Sequence, residues 1–201
     1  MNKFNPLRLL DYPPIYQLSQ LILAPGAEKM LSKAIGGVIG QLPPARRILD
    51  VACGPKSWLW QARLKPVGMD LCHSYALTFN QQGKAVTGSA VALPFASDSF
   101  DAVWNFGLLH HLSEADSIQA INEMVRIVRS RGHVIIFDGI LPNQAWRRPI
   151  PWALRKLDRG RFMRPQDKLE SLLENRNTWE SKRITYSFIG HEGVFLTYTK
   201  R

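Results

Sequence analysis

Four residues of this chain could do chemistry, and all of them stand near the ends of short apolar runs. Asp50 and Asp70 each end such a run, and the adjacent histidines His110 and His111 follow a third. In an open parallel α/β sheet, ligands bind outside the carboxyl ends of the strands. A carboxylate there can accept hydrogen bonds from both hydroxyls of a ribose, and a histidine can accept a proton near neutral pH. The sequence therefore predicts a nucleoside-binding site with candidate bases beside it.

The residues from Arg46 to Asp70 predict the elements that position the two carboxylates. An apolar strand ends at Asp50, a turn of small residues follows at 52–55, and a short helix leads to the strand that ends at Asp70. Small residues let the backbone approach a ligand closely. No Gly-x-Gly-x-x-Gly follows Asp50, so the pattern does not support a dinucleotide site.

Periodicity and turn residues predict the remaining elements. Helices are predicted at 15–23, 27–39 and 166–173. Two more begin at the N-caps Ser74 and Ser113. The apolar face of the helix after Ser113 consists of Ile118, Ile121, Val125 and Val128. The later predicted strands are 84–88, 100–105, 133–138, 184–189 and 194–198, with a turn at 129–132 and a hairpin loop at 190–193. Strands that alternate with helices favour a parallel α/β sheet.

Three motifs carry a resemblance to a known family. The run Asp50-x-Ala52-x-Gly54-x-Lys56 resembles the first motif of the class I S-adenosylmethionine-dependent methyltransferases, in which all three later positions are glycine. The Leu-Pro-Phe and Ser-Phe-Asp pieces within 88–101 resemble the third and fourth motifs of the family. The Leu-His-His that follows is similar to that of quinone, sterol and natural-product methyltransferases.

The resemblance implies a fold and a cofactor. The fold is a three-layer α/β sandwich with a Rossmann-like sheet of seven mostly parallel strands and an antiparallel C-terminal hairpin, in one domain over residues 1–201. The cofactor is S-adenosylmethionine. The residues that the resemblance places near it are Asp50, Ala52, Cys53, Gly54, Asp70, Leu71, Ser89, Ala90 and Asn105.

Each of these residues has an expected role. Asp70 would hold the ribose and Leu71 would pack on the adenine. The Ser89 hydroxyl would accept a hydrogen bond from the adenine amino group. Asn105 would meet the methionine end. The backbone of 52–54 would approach the cofactor closely, and Asp50 would fix that turn, with a water-mediated contact to the methionine ammonium as a further option.

Two interpretations of His110 and His111 stay open. A histidine could take the proton from the acceptor as the methyl group arrives. Either ring could instead satisfy backbone groups of the turn before the next helix. The candidate substrate contacts are Tyr16, in a predicted helical lid over 1–45, and Trp146, Arg147 and Arg148 in the segment 141–168.

The charge of the chain is concentrated in this segment. The net charge is +10, and residues 141–168 hold eight arginines and lysines against two aspartates. A basic patch with tryptophans suits an anionic membrane surface, a nucleic acid or an acidic small molecule, although it is also compatible with a solvated surface. Two cysteines without metal-site spacing imply neither a disulfide framework nor a metal.

The sequence thus predicts methyl transfer from S-adenosylmethionine to a small acceptor that is anionic or lipophilic. The alternatives are an RNA methyltransferase and a non-catalytic binding protein of the same fold. The chain contains no apolar run of transmembrane length and no signal-peptide pattern at its start, so we expect a cytoplasmic protein.

Overall fold

A computed structural model describes residues 24–142, 146, 149–156 and 161–201. The predicted helix at 15–23, including Tyr16, lies outside these residues, as do Arg147 and Arg148. The strands are β1 Ile48–Val51, β2 Val67–Asp70, β3 Lys84–Thr87, β4 Phe100–Phe106, β5 Val128–Ile140, β6 Trp179–Thr185 and β7 Glu192–Thr199. The α-helices are α1 Ala27–Ile39, α2 His73–Phe79, α3 Glu114–Ile127, α4 Pro149–Lys156 and α5 Gln166–Glu170, and 3₁₀ turns lie at Trp58–Ala62, Leu109–His111 and Arg176–Thr178.

The seven strands form one sheet in the order β3-β2-β1-β4-β5-β7-β6. Strands β1 to β5 are parallel to one another, whereas β7 is antiparallel to both β5 and β6. This arrangement confirms the predicted mostly parallel sheet with an antiparallel C-terminal pair. Strand order reverses between β1 and β4, and such a switch point is where open α/β sheets bind ligands.

Helix α1 has the predicted bounds and packs on one face of the sheet. Its buried residues Leu31, Ile35 and Val38 share a hydrophobic core with Trp104 and Phe137 of the central strands. The helix therefore contributes to the core of this face. A lid within residues 1–23 remains a prediction about residues that lie outside the described part of the chain.

Helix α3 covers the opposite face and begins where the sequence predicted. The Ser113 hydroxyl accepts a hydrogen bond from the backbone N–H of Asp116, as an N-cap does. The predicted buried face is right at Ile121 and Val128, which are buried, but wrong at Ile118, which is exposed while its neighbour Ser117 is buried. The Ser117 hydroxyl lies 3.5 Å from the carbonyl oxygen of Leu109. Ser117 therefore takes the core-facing position that hydrophobic periodicity assigned to Ile118.

Two predicted boundaries before the C-terminal elements differ from the structure for local reasons. Residues 129–132, predicted as a turn, form an irregular part of β5, because the β4–β5 register shifts there between Phe100 and Ala102. Helix α2 begins at His73 and not after an N-cap at Ser74, since the Asp70 carboxylate already accepts the N–H of Cys72.

The C-terminal elements are also displaced from their predicted positions. Strand β6 begins at Trp179 and ends at Thr185, and residues 186–191 connect it to β7. Within that connection the Ser187 hydroxyl accepts the N–H of His191, a local bond that replaces the ladder bonds of a strand. Helix α5 ends at Glu170, three residues earlier than predicted.

Candidate cofactor and acceptor site

Asp70 joins the turns that follow β1 and β2. One carboxylate oxygen accepts the backbone N–H of Gly54 at 2.9 Å, and the other accepts that of Cys72 at 2.8 Å. A carboxylate can accept about four hydrogen bonds, so each oxygen retains capacity for a further donor. Asp70 therefore lies where the sequence predicted the ribose acid, at the carboxyl end of β2 and beside the glycine turn.

The turn after β1 keeps a left-handed conformation although Ala52 stands at the first glycine position of the motif. Ala52 has a φ of 57° and Gly54 a φ of 60°. An alanine in this region costs about 1 kcal/mol relative to glycine. A Cβ placed on Gly54 would meet no atom within 4 Å, so there is open space beside the turn. Lys56 is exposed and does not have a positive φ, and the third glycine of the motif is therefore not needed.

Asp50 fixes the turn from inside the protein. It is buried, and the Ser57 hydroxyl donates to its carboxylate while accepting the N–H of Leu59. Burial raises the pKa of Asp50, the Ser57 hydrogen bond opposes the rise and the negative charge of Asp70 adds to it, which together give a pKa of about 7. Cys53 is buried in the same turn, where burial and these two carboxylates raise the pKa of its thiol.

Asn105 is the next-to-last residue of β4 and is fully buried. Its amide nitrogen donates to the carbonyl oxygen of Val51 at 2.9 Å, which ties the ends of β1 and β4 together. Within the described residues, no donor reaches its side-chain oxygen. A buried acceptor without a donor costs free energy, and a ligand ammonium would satisfy it. This orphaned oxygen, the space beside Gly54 and the acceptor capacity of Asp70 fit S-adenosylmethionine.

The residues predicted to contact the adenine lie next to Asp70. Leu71 is 75% exposed, and an aromatic ring packed on it would cover apolar surface that now meets water. Gly88 donates its N–H to the carbonyl oxygen of Asp70 at 3.0 Å, and Ser89 and Ala90 follow in a partly exposed turn. The cofactor residues predicted from sequence are therefore brought together at the switch point.

His110 is paired with Asp138, an acid that sequence reasoning missed. The ring Nδ1 lies 2.5 Å from one carboxylate oxygen of Asp138, and the backbone N–H of His110 donates to the other at 3.1 Å. Asp138 is buried at the end of β5. This contact favours the tautomer in which Nδ1 carries the proton, which leaves Nε2 as the basic nitrogen. An acid near the end of an apolar strand was the signal used for Asp50 and Asp70, and it would have found Asp138.

His111 is exposed, and its ring centroid lies 4.1 Å from that of His110. Trp146 is 72% exposed, and its candidate partners Arg147 and Arg148 fall outside the described residues. In the parts of the chain that the structure covers, no three His, Cys, Asp or Glu side chains could hold a metal ion together, and no helix is long and apolar enough to cross a membrane.

Known methyltransferases resemble this chain both in fold and in sequence. The fold matches that of a SAM-dependent methyltransferase from Archaeoglobus fulgidus with a TM-score of 0.71 and 14% identity, over 92% of this chain and 99% of that one. Geranyl diphosphate methyltransferase in complex with SAM matches with a TM-score of 0.65 and 13% identity, over 85% of this chain and 84% of that one. The chain therefore has the class I methyltransferase fold.

The sequence comparisons match part of the chain to methyltransferases. Residues 49–136 match the family described as a methyltransferase domain. Demethylmenaquinone methyltransferase of Mycolicibacterium paratuberculosis is 31% identical over 140 residues, which cover 65% of this chain and 57% of that protein. The tRNA (carboxymethyluridine(34)-5-O)-methyltransferase of Arabidopsis thaliana is 33% identical over 108 residues, 51% of this chain and 26% of that protein. The chain thus spans little more than half of the first relative and about a quarter of the second.

Residues 49–136 thus match a methyltransferase domain, and the chain has the fold of the class I, S-adenosylmethionine-dependent methyltransferases.

Proposed function

We propose that this chain transfers a methyl group from S-adenosylmethionine to a small acceptor in the cytoplasm. The observation that carries the proposal is the orphaned side-chain oxygen of Asn105 at the switch point. It lies at the end of β4, whose partner β1 leads into the left-handed turn that Asp70 holds. The methionine ammonium of this cofactor needs an acceptor such as the Asn105 oxygen, and its ribose hydroxyls need acceptors such as the Asp70 carboxylate. The open space beside the turn at Gly54 leaves room for the cofactor.

When bound, S-adenosylmethionine supplies an activated methyl group on a sulfonium, so most of the rate comes from alignment. Asp70 would accept hydrogen bonds from the ribose hydroxyls, and the Asn105 oxygen would accept one from the ammonium of the methionine part. Leu71 and the turn at Ser89 would cover the adenine. These residues would hold the cofactor at the carboxyl ends of β1, β2 and β4.

His110 is the base for an acceptor that loses a proton. Its Nε2 takes the proton from the acceptor hydroxyl or acidic carbon, and the buried Asp138 carboxylate stabilises the imidazolium that forms. His111 lies outside this pair and is exposed beside it, which supports a role at the rim of the site. A nitrogen acceptor with a free lone pair would not need the base.

The segment 141–168 and Tyr16 are proposed to contact the acceptor. The basic residues of the segment, with the exposed Trp146 and Trp152, suit an acceptor that is anionic or that is taken from an anionic membrane surface. The similarity to a demethylmenaquinone methyltransferase supports a lipophilic acceptor. The similarity to tRNA methyltransferases keeps RNA as the second candidate, which the same basic segment favours.

Calorimetric titration with S-adenosylmethionine and S-adenosylhomocysteine tests the cofactor. Micromolar binding is the expected result. A folded protein that binds neither compound at millimolar concentration would contradict the proposal and leave the non-catalytic interpretation.

Transfer of a labelled methyl group then separates the acceptors. The panel contains a short-chain naphthoquinol, acidic phenols and total tRNA. Labelling of the small molecules is expected. Labelling of tRNA, with affinity that falls steeply as salt rises, would instead support the RNA alternative.

A further inference from the structure

The turn that carries His110 is held from outside by the segment that follows α4. The guanidinium of Arg164 donates to the carbonyl oxygen of Leu109 at 2.8 Å and to that of Leu112 at 2.9 Å. The backbone N–H of Phe162 donates to the carbonyl oxygen of His110 at 3.0 Å. Three carbonyls of one short turn therefore receive donors from residues more than fifty positions away.

These bonds add donors to the carbonyls of the turn. The Leu109 carbonyl already accepts the N–H of Leu112 at 3.2 Å, so Arg164 gives it a second donor. The carbonyls of His110 and Leu112, at the end of the turn, receive donors from Phe162 and Arg164. The planar fork of an arginine serves two acceptors in a rigid geometry, whereas a lysine carries one rotatable ammonium on a flexible stem. The Ser117 hydroxyl lies 3.5 and 3.4 Å from the oxygens of Leu109 and Leu112, at the long limit of hydrogen bonding, so Arg164 makes the shorter contacts.

Arg164 is itself anchored to the strand that carries Asp138. Its carbonyl oxygen accepts the N–H of Leu141 at 2.9 Å, directly after the end of β5. Its guanidinium lies over the ring of Phe162, 5.7 Å from the centroid. One residue thus connects the end of β5, the segment 161–165 and the His110 turn.

We infer that Arg164 is a positioning residue, which holds the His110 turn so that the His110 ring stays against Asp138. This inference rests on the proposed function, because the position of the turn affects methyl transfer only if His110 acts as the base. It also connects the basic segment 141–168 to that base, because Arg164 lies within the segment.

The imidazole N–H of His110 reports this geometry directly. A proton held between an imidazole nitrogen and a buried carboxylate gives a far-downfield NMR resonance, because a short charge-assisted bond deshields it and slows its exchange. His110→Gln assigns the resonance by removing it. Arg164→Lys keeps the charge and removes the fork, and the resonance should broaden or disappear while binding of S-adenosylhomocysteine changes less than about twofold.

Arg126→Lys is the matched control. Arg126 also donates to two carbonyls, those of Phe95 and Leu93, at 3.0 and 3.1 Å, but far from His110 in the fold. Both variants lose an arginine fork. Because Arg126 also pairs with Glu123 at 2.7 Å, the melting temperature of Arg126→Lys should fall at least as much as that of Arg164→Lys. The His110 resonance should be lost only in Arg164→Lys.

The outcomes separate this inference from the function on which it rests. An unchanged resonance in Arg164→Lys overturns the positioning role, whatever His110 does. Loss of the resonance in both variants also overturns it, because general loosening of the fold would explain the result. Loss in Arg164→Lys alone supports it. If His110→Gln then retains methyl transfer, the positioning role stands and the proposed base is wrong.

Discussion

Replacing Asp70 by asparagine keeps the size of the side chain and removes its charge where the ribose is proposed to bind. The wild-type carboxylate accepts the N–H groups of Gly54 and Cys72, one on each oxygen. Asparagine has one acceptor and one donor. One of the two backbone N–H groups therefore loses its partner, and one of the two ribose hydroxyls meets a donor in place of an acceptor.

The expected loss of affinity follows from these contacts. A hydrogen bond to a charged group contributes about 1.5 to 3 kcal/mol. Loss of one ribose bond and weakening of the other should reduce the affinity for S-adenosylhomocysteine by about 2 to 4 kcal/mol, or roughly 30- to 1000-fold. The unpaired backbone N–H should also lower the free energy of unfolding by about 1 to 3 kcal/mol.

Isothermal titration calorimetry measures the affinity, and urea unfolding measures the stability. Asp98→Asn is the control, because Asp98 is an exposed carboxylate paired with Lys200 at the far end of β7. It has a φ of 57°, a conformation that asparagine tolerates well. We expect wild-type binding from this control. If a folded Asp70→Asn also bound with wild-type affinity, the ribose would lie elsewhere and the assignment of the site would be wrong.

The other predictions concern the turn, the buried acid and a helix cap. Ala52→Gly should raise the free energy of unfolding by about 0.5 to 1 kcal/mol, because glycine adopts a φ of 57° without strain; urea unfolding that shows a loss would contradict this. With the pKa of Asp50 raised to about 7, the folded state binds its proton more tightly, so stability is lost as pH rises from about 4 to 7. Asp50→Asn should therefore reduce the fall in stability between pH 5 and 8 by up to about 2 to 3 kcal/mol, and an equal fall in both proteins would refute the pKa shift. Ser113→Ala should lower the melting point through a loss of about 1 kcal/mol, and an unchanged melting point would show that the cap bond contributes nothing.

The cofactor side of the site could be read from the sequence because its parts are close along the chain. Asp50, the turn at 52–54 and Asp70 lie within one strand–turn–strand unit, and their spacing alone placed them at one sheet edge. The N-cap at Ser113 was predictable for the same reason, since the hydroxyl bonds a backbone group three residues on. Such local bonds depend on residue type and spacing, both of which the sequence shows.

The acceptor side depended on contacts that no spacing reveals. His110 and Asp138 meet because β4 and β5 are adjacent and parallel, which brings their carboxyl ends to one edge of the sheet. Arg164 reaches Leu109 only because the chain folds back over the same edge after α4.

The phase of α3 was decided in the same way, because the Leu109 carbonyl makes the Ser117 position suitable for a polar residue. The sequence by itself predicted the fold class and the placement of the β1–β2 unit, since local backbone geometry encodes them, and its motifs predicted the cofactor through the family resemblance. Tertiary structure alone decided which histidine has a carboxylate partner and what holds its turn, because those contacts join residues that only strand order and crossover direction bring together.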